Sequence, residues 1–455
     1  MNVAHQEPPI DPDQKVSPPR LRRAVAASAL GNATEWFDYG VYAYVATEIG
    51  RNFFPGEYST LGALLVFAVS FILRPLGGIV WGPLGDRLGR SRILATTIIL
   101  MCGATFLVGV LPDHDTIGIW APILLVLLRV VQGFSTGGEY GGAATFMAEY
   151  APDRKRGFWG SFLEFGTLAG FTAAVVVVYV VNLVVGDAAM ADWGWRIPFL
   201  LSLPLGGIGL YLRLKMDDTP VFRERDRSAE SGGALALRAL VVQYRKPVLQ
   251  LFGLVIALNI INYTLLAYMP TYLQDTIGLT SSDTDLLVII GQVAMMVAIP
   301  FAGALSDRIG RKPCWWISLV GIFVLAIPMF LLMAQGLVPA IIGFTVLGLV
   351  YVLQLGTISA TFPAMFPTQV RYSGMAISYN VATAAFGGTA LAVNEALIGV
   401  TGNNLVPAFS MMLSCVVGMI ALYFVVETRG ASLHGRDIPG AAAEVPGRMA
   451  PAGSA

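Results

Sequence analysis

Residues 82–90 read GPLGDRLGR, and residues 303–311 read GALSDRIGR. The shared pattern is G-x-L-x-D-R-x-G-R, and each copy follows the second long apolar stretch of its half of the chain. A second pair stands in register with the first. PDRKRG at 152–157 and PTQVRYSG at 367–374 each follow a fourth apolar stretch, and each places Pro four residues before an Arg, with Gly after it. Matching motifs in matching positions of two halves are the mark of a membrane fold built by duplication.

The composition agrees. The chain has 455 residues, 55% hydrophobic and 13% charged, where an ordinary soluble protein carries about 25% charge. Mean hydropathy is +0.67. Apolar runs of about 20 residues recur, which is helical span length rather than the roughly ten-residue alternation of a barrel. Twelve spans are expected, at roughly 24–48, 60–83, 93–112, 118–148, 157–185, 196–214, 248–274, 285–306, 314–334, 337–362, 374–400 and 405–427. The expected organisation is a tail at 1–23, a six-helix bundle at 24–214, a charged linker at 215–247, a second bundle at 248–428 and a disordered tail at 429–455. The fold class is all-α membrane protein, two six-helix halves related by a pseudo-two-fold axis.

Basic residues set the orientation. On this map 25 of the 29 Lys and Arg fall on the tails, the linker and every second loop. The opposite side holds Arg51 and Arg196, while Arg74 and Arg129 lie inside spans. The positive-inside rule places both termini in the cytoplasm. The first 20 residues are polar and Pro-rich, with no apolar core or cleavage site, so no signal peptide is expected. Cys102, Cys314 and Cys415 stand alone in or beside apolar segments and suggest no disulfide framework.

The repeated motif has a readable chemistry. Its glycines, Gly82, Gly89 and Gly310 among them, permit tight turns and close helix approach. Asp86 and Asp307 are expected near the start of a following helix, where the dipole favours a carboxylate. Arg87, Arg90, Arg308 and Arg311 can reach partners in neighbouring spans. The expectation is a gate between halves on the cytoplasmic side; the alternative is plain charge anchoring.

These motifs resemble the major facilitator superfamily over residues 20–430. GNATEWFDYGVYAYVA, FILRPLGGIVWGPLGDRLGR, RVVQGFSTGGEYGG, AEYAPDRKRGFWGS, DWGWRIPF and FPAMFPTQVRYSG narrow the resemblance to its metabolite:proton symporters. Within that family the chain is most similar to the proline/glycine-betaine carriers, and also to those of α-ketoglutarate, citrate and shikimate. The resemblance implies the major facilitator fold, alternating access and uptake of a small solute with a proton. One feature departs from it: osmosensory members end in a charged coiled coil, and the tail here shows no heptad.

Carboxylates at bilayer depth cost about 2.5–3.5 kcal/mol on insertion scales and so should face a cavity or a partner. In 31–40, GNATEWFDYG, two of them stand near the middle of span 1. Asn32, Glu35, Asp38, Tyr39 and Tyr42 fall within about 120° on a helical wheel. In span 4, Arg129, Gln132, Ser135, Thr136, Glu139 and Tyr140 fall within about 140°. Candidate proton-coupling groups are Glu35, Asp38, Glu139 and Glu164; a static pairing with an arginine is the alternative for the acids of span 1. Arg129 could take a substrate carboxylate or pair with one of those acids. Trp36, Tyr39, Tyr42 and Tyr140 could offer faces to a cation. The second half is mostly neutral, and its candidates, Asn259, Asn262, Tyr263 and Asn380, suit either substrate hydrogen bonding or core packing.

Acids outnumber bases inside the spans, which favours a zwitterion such as proline or glycine betaine over a dicarboxylate. The alternatives are a carboxylate carrier, a uniporter or a sensor. No phosphate-binding loop, HExxH or nucleophile elbow appears, and the three histidines lie in tails or an outer loop, so neither an ATP-driven pump nor an enzyme is expected. No cofactor, metal or nucleic acid is implied. The partners expected are a small solute, a proton and the lipid of a bacterial plasma membrane, with the chain acting as a monomer.

Overall fold

The computed structural model describes residues 18–88, 90–137, 139–207, 243–367, 370–433 and 438–439. Gly89 and the side-chain positions of Gly82, Asp86, Arg87, Arg90 and Glu139 lie outside the described residues, as does 215–242 of the expected linker. Within them, helices fall on all twelve expected spans. Eight are long and apolar enough to cross a membrane, and Thr96–Val110 and Trp120–Ser135 are shorter apolar helices. The chain is therefore a multi-pass helical membrane protein. Its exterior is the apolar side: Phe301 is 72% and Val400 85% exposed, whereas Arg74 and Arg129 are 2% and 1% exposed. That inversion of the soluble pattern suits lipid outside and a polar seam within.

Span 1 runs Pro18–Tyr44 and continues past a turn at Val45 as Ala46–Phe53. It begins six residues before the expected start because exposed Arg22 and Arg23 add polar turns that hydropathy does not register. Span 2 is Ser59–Ile72 and Arg74–Leu88, interrupted at Leu73. The cause is Pro75, which has no N–H to donate and disfavours helical backbone before it. Span 4 is likewise split into Trp120–Ser135 and Glu139–Tyr150, and span 11 into Arg371–Phe386 and Thr389–Thr401. Span 7 begins as Arg245–Tyr263 and then loosens into π turns at Thr264–Tyr268 and Tyr272–Thr276, on either side of Pro270. Such breaks cluster where backbone lines a path rather than facing lipid.

Spans 1 and 5 (Arg156–Val185) pack along their length within the first half. The halves meet most extensively where span 5 packs on span 8 (Ser281–Ile309) and span 2 on span 11, and further contacts join spans 4 and 11, 5 and 10, and 1 and 7. Gly157 and Gly303 lie where spans 5 and 8 cross, and a Cβ on either would strike the backbone carbonyl of the other. Further along the same seam, Thr172 donates to Gln292 Oε1 at 3.3 Å, and Gln292 donates to the Tyr44 hydroxyl at 2.6 Å. Tyr44 in turn donates to the Leu266 carbonyl at 3.0 Å. That carbonyl is the one four residues before Pro270, so the proline leaves it available to span 1.

Candidate functional site

Glu35 and Arg74 form a salt bridge at 3.0 Å, with their side chains 5% and 2% exposed. The break before Pro75 holds Arg74 at the level of Glu35. The Arg74 guanidinium lies 4.7 Å from the ring centroids of Tyr39 and Phe71 and 5.9 Å from that of Trp36, and its Nε donates to the Tyr39 hydroxyl at 3.4 Å. Three aromatic faces and a carboxylate thus neutralise one buried cation. Spans 2 and 4 approach this closely only because Gly133 and Gly137 carry no Cβ, which would fall on the backbone of Ser70 and Arg74.

A second polar chain runs below it. Arg129 packs over the Tyr42 ring at 3.5 Å and donates to Gln132 Oε1 at 2.6 Å. Gln132 donates to Thr105 Oγ1, and Thr105 donates to Asp38 Oδ2 at 3.1 Å. Asp38 is 3% exposed and makes no salt bridge among the described residues. Arg129 keeps Nε and Nη2 without hydrogen-bond partners there.

Glu164 completes the set of acids. It accepts from Tyr140 and, at 2.9 Å, from Thr167, and it is 2% exposed. Asn32 donates to Thr167 at 2.7 Å and to the Leu163 carbonyl at 2.8 Å, while its own carbonyl accepts from the Trp36 indole at 3.1 Å. Asn32 thereby fixes the ring of Trp36. From the second half come Asn262, accepting from Tyr351 at 2.7 Å, and Asn259, donating to Thr383 at 3.0 Å. Trp36, Glu164, Asn259, Asn262, Tyr351 and Tyr379 line a void of about 10 Å³ between the halves, room for about one water molecule.

The predicted residues therefore divide by position. Trp36, Glu164, Asn259 and Asn262 meet at the void; Tyr140 stacks on Tyr379 at 4.4 Å, and Tyr263 packs on Phe71 at 5.0 Å and Trp36 at 6.1 Å. Tyr39 and Tyr42 give their faces to this chain's own arginines. Asn380 is half-buried and stands outside the void. Sequence reasoning passed over Tyr351, Tyr379, Thr105 and Thr167. A lone hydroxyl in an apolar span carries no local signal, and Tyr379 is separated from Asn380 by one residue, or about 100° of helix.

At the face that carries the basic loops, Asp307 is in the last turn of span 8, not at the start of a following helix. It still meets a helix N-terminus, that of span 5 in the other half: Gly157 and Phe158 N–H both donate to it at 2.9 Å. Arg311 adds a bridge at 2.8 Å. Arg308 is exposed, and Gly310 supplies a positive φ of 110° at the turn. Past span 12 (Val406–Tyr423), Glu427 accepts from the Arg311 and Lys312 N–H groups at 3.0 and 2.9 Å. Arg156 and Arg371, the arginines of the second repeated motif, donate to the carbonyls of Ala431 and Leu433. The expected tail from 429 thus begins with a docked strap at 429–433.

Comparison with known proteins agrees with this geometry. The family model described as Major Facilitator Superfamily matches residues 28–393. The proline/betaine transporter of Escherichia coli strain K12 is 43% identical over 428 residues, covering 91% of this chain and 85% of the relative. The glycine betaine/proline/ectoine/pipecolic acid transporter OusA of Dickeya dadantii is also 43% identical, with the same coverage. The ectoine/proline transporter ProP of Corynebacterium glutamicum is 39% identical over 94% of this chain and 88% of its own length. Among solved structures, the proton:xylose symporter XylE bound to 6-bromo-6-deoxy-D-glucose superposes with a TM-score of 0.71 at 18% identity, covering 91% of this chain and 97% of that one. Two bundles joined at spans 2–11 and 5–8 around a buried polar centre, together with these matches, place the chain in the major facilitator superfamily, to which it belongs.

Proposed function

We propose that the chain is a proton-coupled symporter that takes up a small zwitterion of the proline or glycine-betaine class by alternating access. The observation that carries this reading is the pair Asp38 and Glu164. Both are buried, Glu164 at the void between the halves and Asp38 within the first half, and among the described residues only hydroxyls hydrogen-bond them. A buried carboxylate that makes no salt bridge is cheaper with its proton on; Arg129 lies within electrostatic reach of Asp38 but does not bridge to it. Opening to water on one side reverses that preference, so each conformational cycle can load and release a proton. Glu35, held by Arg74, is the static member of the set. The driving force is the proton gradient, and no cofactor takes part.

Around the void, Glu164 and the Trp36 ring suit the cationic end of a zwitterion, and the Asn259 and Asn262 amides suit its carboxylate. The relatives named above support that substrate class. The face with the basic loops is cytoplasmic, in keeping with the positive-inside rule, and the protein sits in the bacterial plasma membrane. The path lies between two halves of one chain, so a monomer suffices. Asp307 and Arg311 form the cytoplasmic latch, which must part for inward release. A second reading, a carboxylate metabolite as substrate, draws on Arg129, whose two unpartnered nitrogens could form a bidentate pair.

Uptake into proteoliposomes under an imposed pH gradient tests both. Labelled proline and glycine betaine should accumulate with an inward proton gradient and respond to voltage by about 2.3 kcal/mol per 100 mV for the one charge moved. Accumulation of α-ketoglutarate alone would support the second reading, and gradient-insensitive uptake would reject symport.

A further inference from the structure

A second cavity, of about 300 Å³, opens on the outer face, away from the central void. Its walls come from both halves. The first half contributes Glu48 and Arg51 after span 1, Asn182 at the end of span 5 and Asp187 just beyond. The second contributes Gln274 and Asp275 of span 7 and Thr280 before span 8. The volume is at the low end for small-molecule pockets, roughly 300–1,000 Å³.

Two of its side chains are buried and incompletely satisfied. Glu48 is 7% exposed and Asn182 2% exposed, yet Glu48 Oε2 and Asn182 Oδ1 have no hydrogen-bond partner among the described residues. Both are acceptors, so the missing partner is a donor. Beneath them Asp285, fully buried, also has two unpartnered oxygens and lies within electrostatic reach of Glu48 and Asp187. Arg51, exposed at the rim, makes no salt bridge among the described residues. The acids do not converge as metal ligands: no group of three that could hold a metal ion occurs among the described residues. Unpartnered acceptors beside an exposed guanidinium, three residues from Glu48 on the same helix, call for a compact ligand that carries both N–H donors and a carboxylate.

We propose that this outer cavity is a staging site for an amino-acid zwitterion with a protonated, N–H-bearing amine, proline being the type. The ammonium N–H groups meet Glu48 and Asn182, and the carboxylate meets Arg51. A quaternary ammonium has no N–H and leaves both acceptors unpaired, so glycine betaine is discriminated against here even where the central site takes it. Asp275 ties the site to the outer gate. It belongs to the second half and accepts from Thr47 at 3.3 Å and Thr60 at 3.1 Å in the first. A ligand in the cavity therefore sits beside the contact that must part to admit it. This inference rests on the zwitterion reading and adds a second site to it.

The test is equilibrium binding of labelled proline and labelled glycine betaine to the purified full-length protein at low ionic strength. Two proline sites and one betaine site per chain are expected. Glu48→Gln and, separately, Asp187→Asn at the exposed rim should remove one proline site. In proteoliposomes both variants should lower kcat/KM for proline by about tenfold, the lower end for electrostatic capture, and that for glycine betaine by less than twofold. One proline site in the unaltered protein, equal effects on the two solutes, or choline filling the second site as well as proline does would each overturn the proposal. Absence of all zwitterion binding would instead overturn the proposed function itself.

Discussion

Replacing Glu35 with Gln separates structure from coupling. In the native protein Glu35 Oε1 and Arg74 Nη2 are 3.0 Å apart and almost fully buried. Removing the charge from one partner strands the other, a loss of about 3–5 kcal/mol for buried pairs. Gln keeps a carbonyl in the same place and can restore one hydrogen bond, about 1 kcal/mol. The Trp36, Tyr39 and Phe71 faces are unchanged and keep their part of the stabilisation. The net expectation is a loss of about 2–4 kcal/mol, or roughly 4–8 °C in Tm at about 2 °C per kcal/mol for a large chain. Adding Arg74→Gln should recover more than half of it, because the stranded charge is gone. Asp38→Asn breaks no salt bridge and keeps the Thr105 contact, and loses only the longer-range attraction of Arg129, so its Tm loss should be at most half that of Glu35→Gln. It should nonetheless abolish gradient-driven accumulation while leaving solute exchange intact. Thermal unfolding followed by tryptophan fluorescence, paired with counterflow in proteoliposomes, reads both quantities. If Glu35→Gln unfolds with the native protein, or Asp38→Asn is as unstable as Glu35→Gln, the division between a static and a titrating acid is wrong.

Glu164→Gln should also uncouple, since the Tyr140 and Thr167 hydroxyls are its only hydrogen-bond partners among the described residues; a retained pH-gradient response in vesicles would remove Glu164 from the mechanism. Asp307→Asn weakens the link to the span 5 N-terminus by about 1–3 kcal/mol and should raise alkylation of a cysteine placed at Ser161, against a low background because Cys102, Cys314 and Cys415 are buried. Gly303→Ala should cut uptake at least about tenfold, because its methyl group would strike the Gly157 carbonyl where spans 5 and 8 cross; unchanged uptake would show that this close crossing is not needed. Outside the spans, Asp113 caps the short helix His114–Ile117 and is held below the usual carboxylate range, chiefly by the Thr116 hydroxyl. A depressed folded pKa means that its stabilisation is present above the ordinary carboxylate pKa and lost as pH falls through the folded value. Asp113→Asn should therefore flatten the acid limb of a stability–pH profile below about pH 4 and leave neutral-pH uptake unchanged.

How far the sequence carries the reader depends on whether a property is local. The spans follow from recurring apolar stretches, eight of which are long and apolar enough by themselves among the described residues, and the two halves from motifs that repeat at matching positions. Span 1's polar stripe was legible because 3.6-residue periodicity puts Asn32, Glu35 and Asp38 on one face whatever surrounds them. Partners were not. Arg74 and Glu35 are 39 residues apart, and nothing in either segment selects the other. Asp307 shows the same limit. Its chemistry, a carboxylate at a helix N-terminus, was readable, but the helix proved to be span 5, 149 residues away at Phe158. The strap at 429–433 was missed because its anchors, Arg156 and Arg371, lie in other loops and bind its backbone carbonyls, which no side-chain pattern encodes.

The amino-acid sequence by itself determined what is paid in water or lipid one segment at a time: which stretches span, which face of each is polar, and where charge must be sheltered. The tertiary structure alone decided which acid is neutralised and which is left to hydroxyls. That choice turns on a few ångströms between helices, set by the glycine crossings at Gly133, Gly137, Gly157 and Gly303 and by the break before Pro75. Pair energies in a dry interior change steeply over such distances, whereas segment hydropathy does not depend on them.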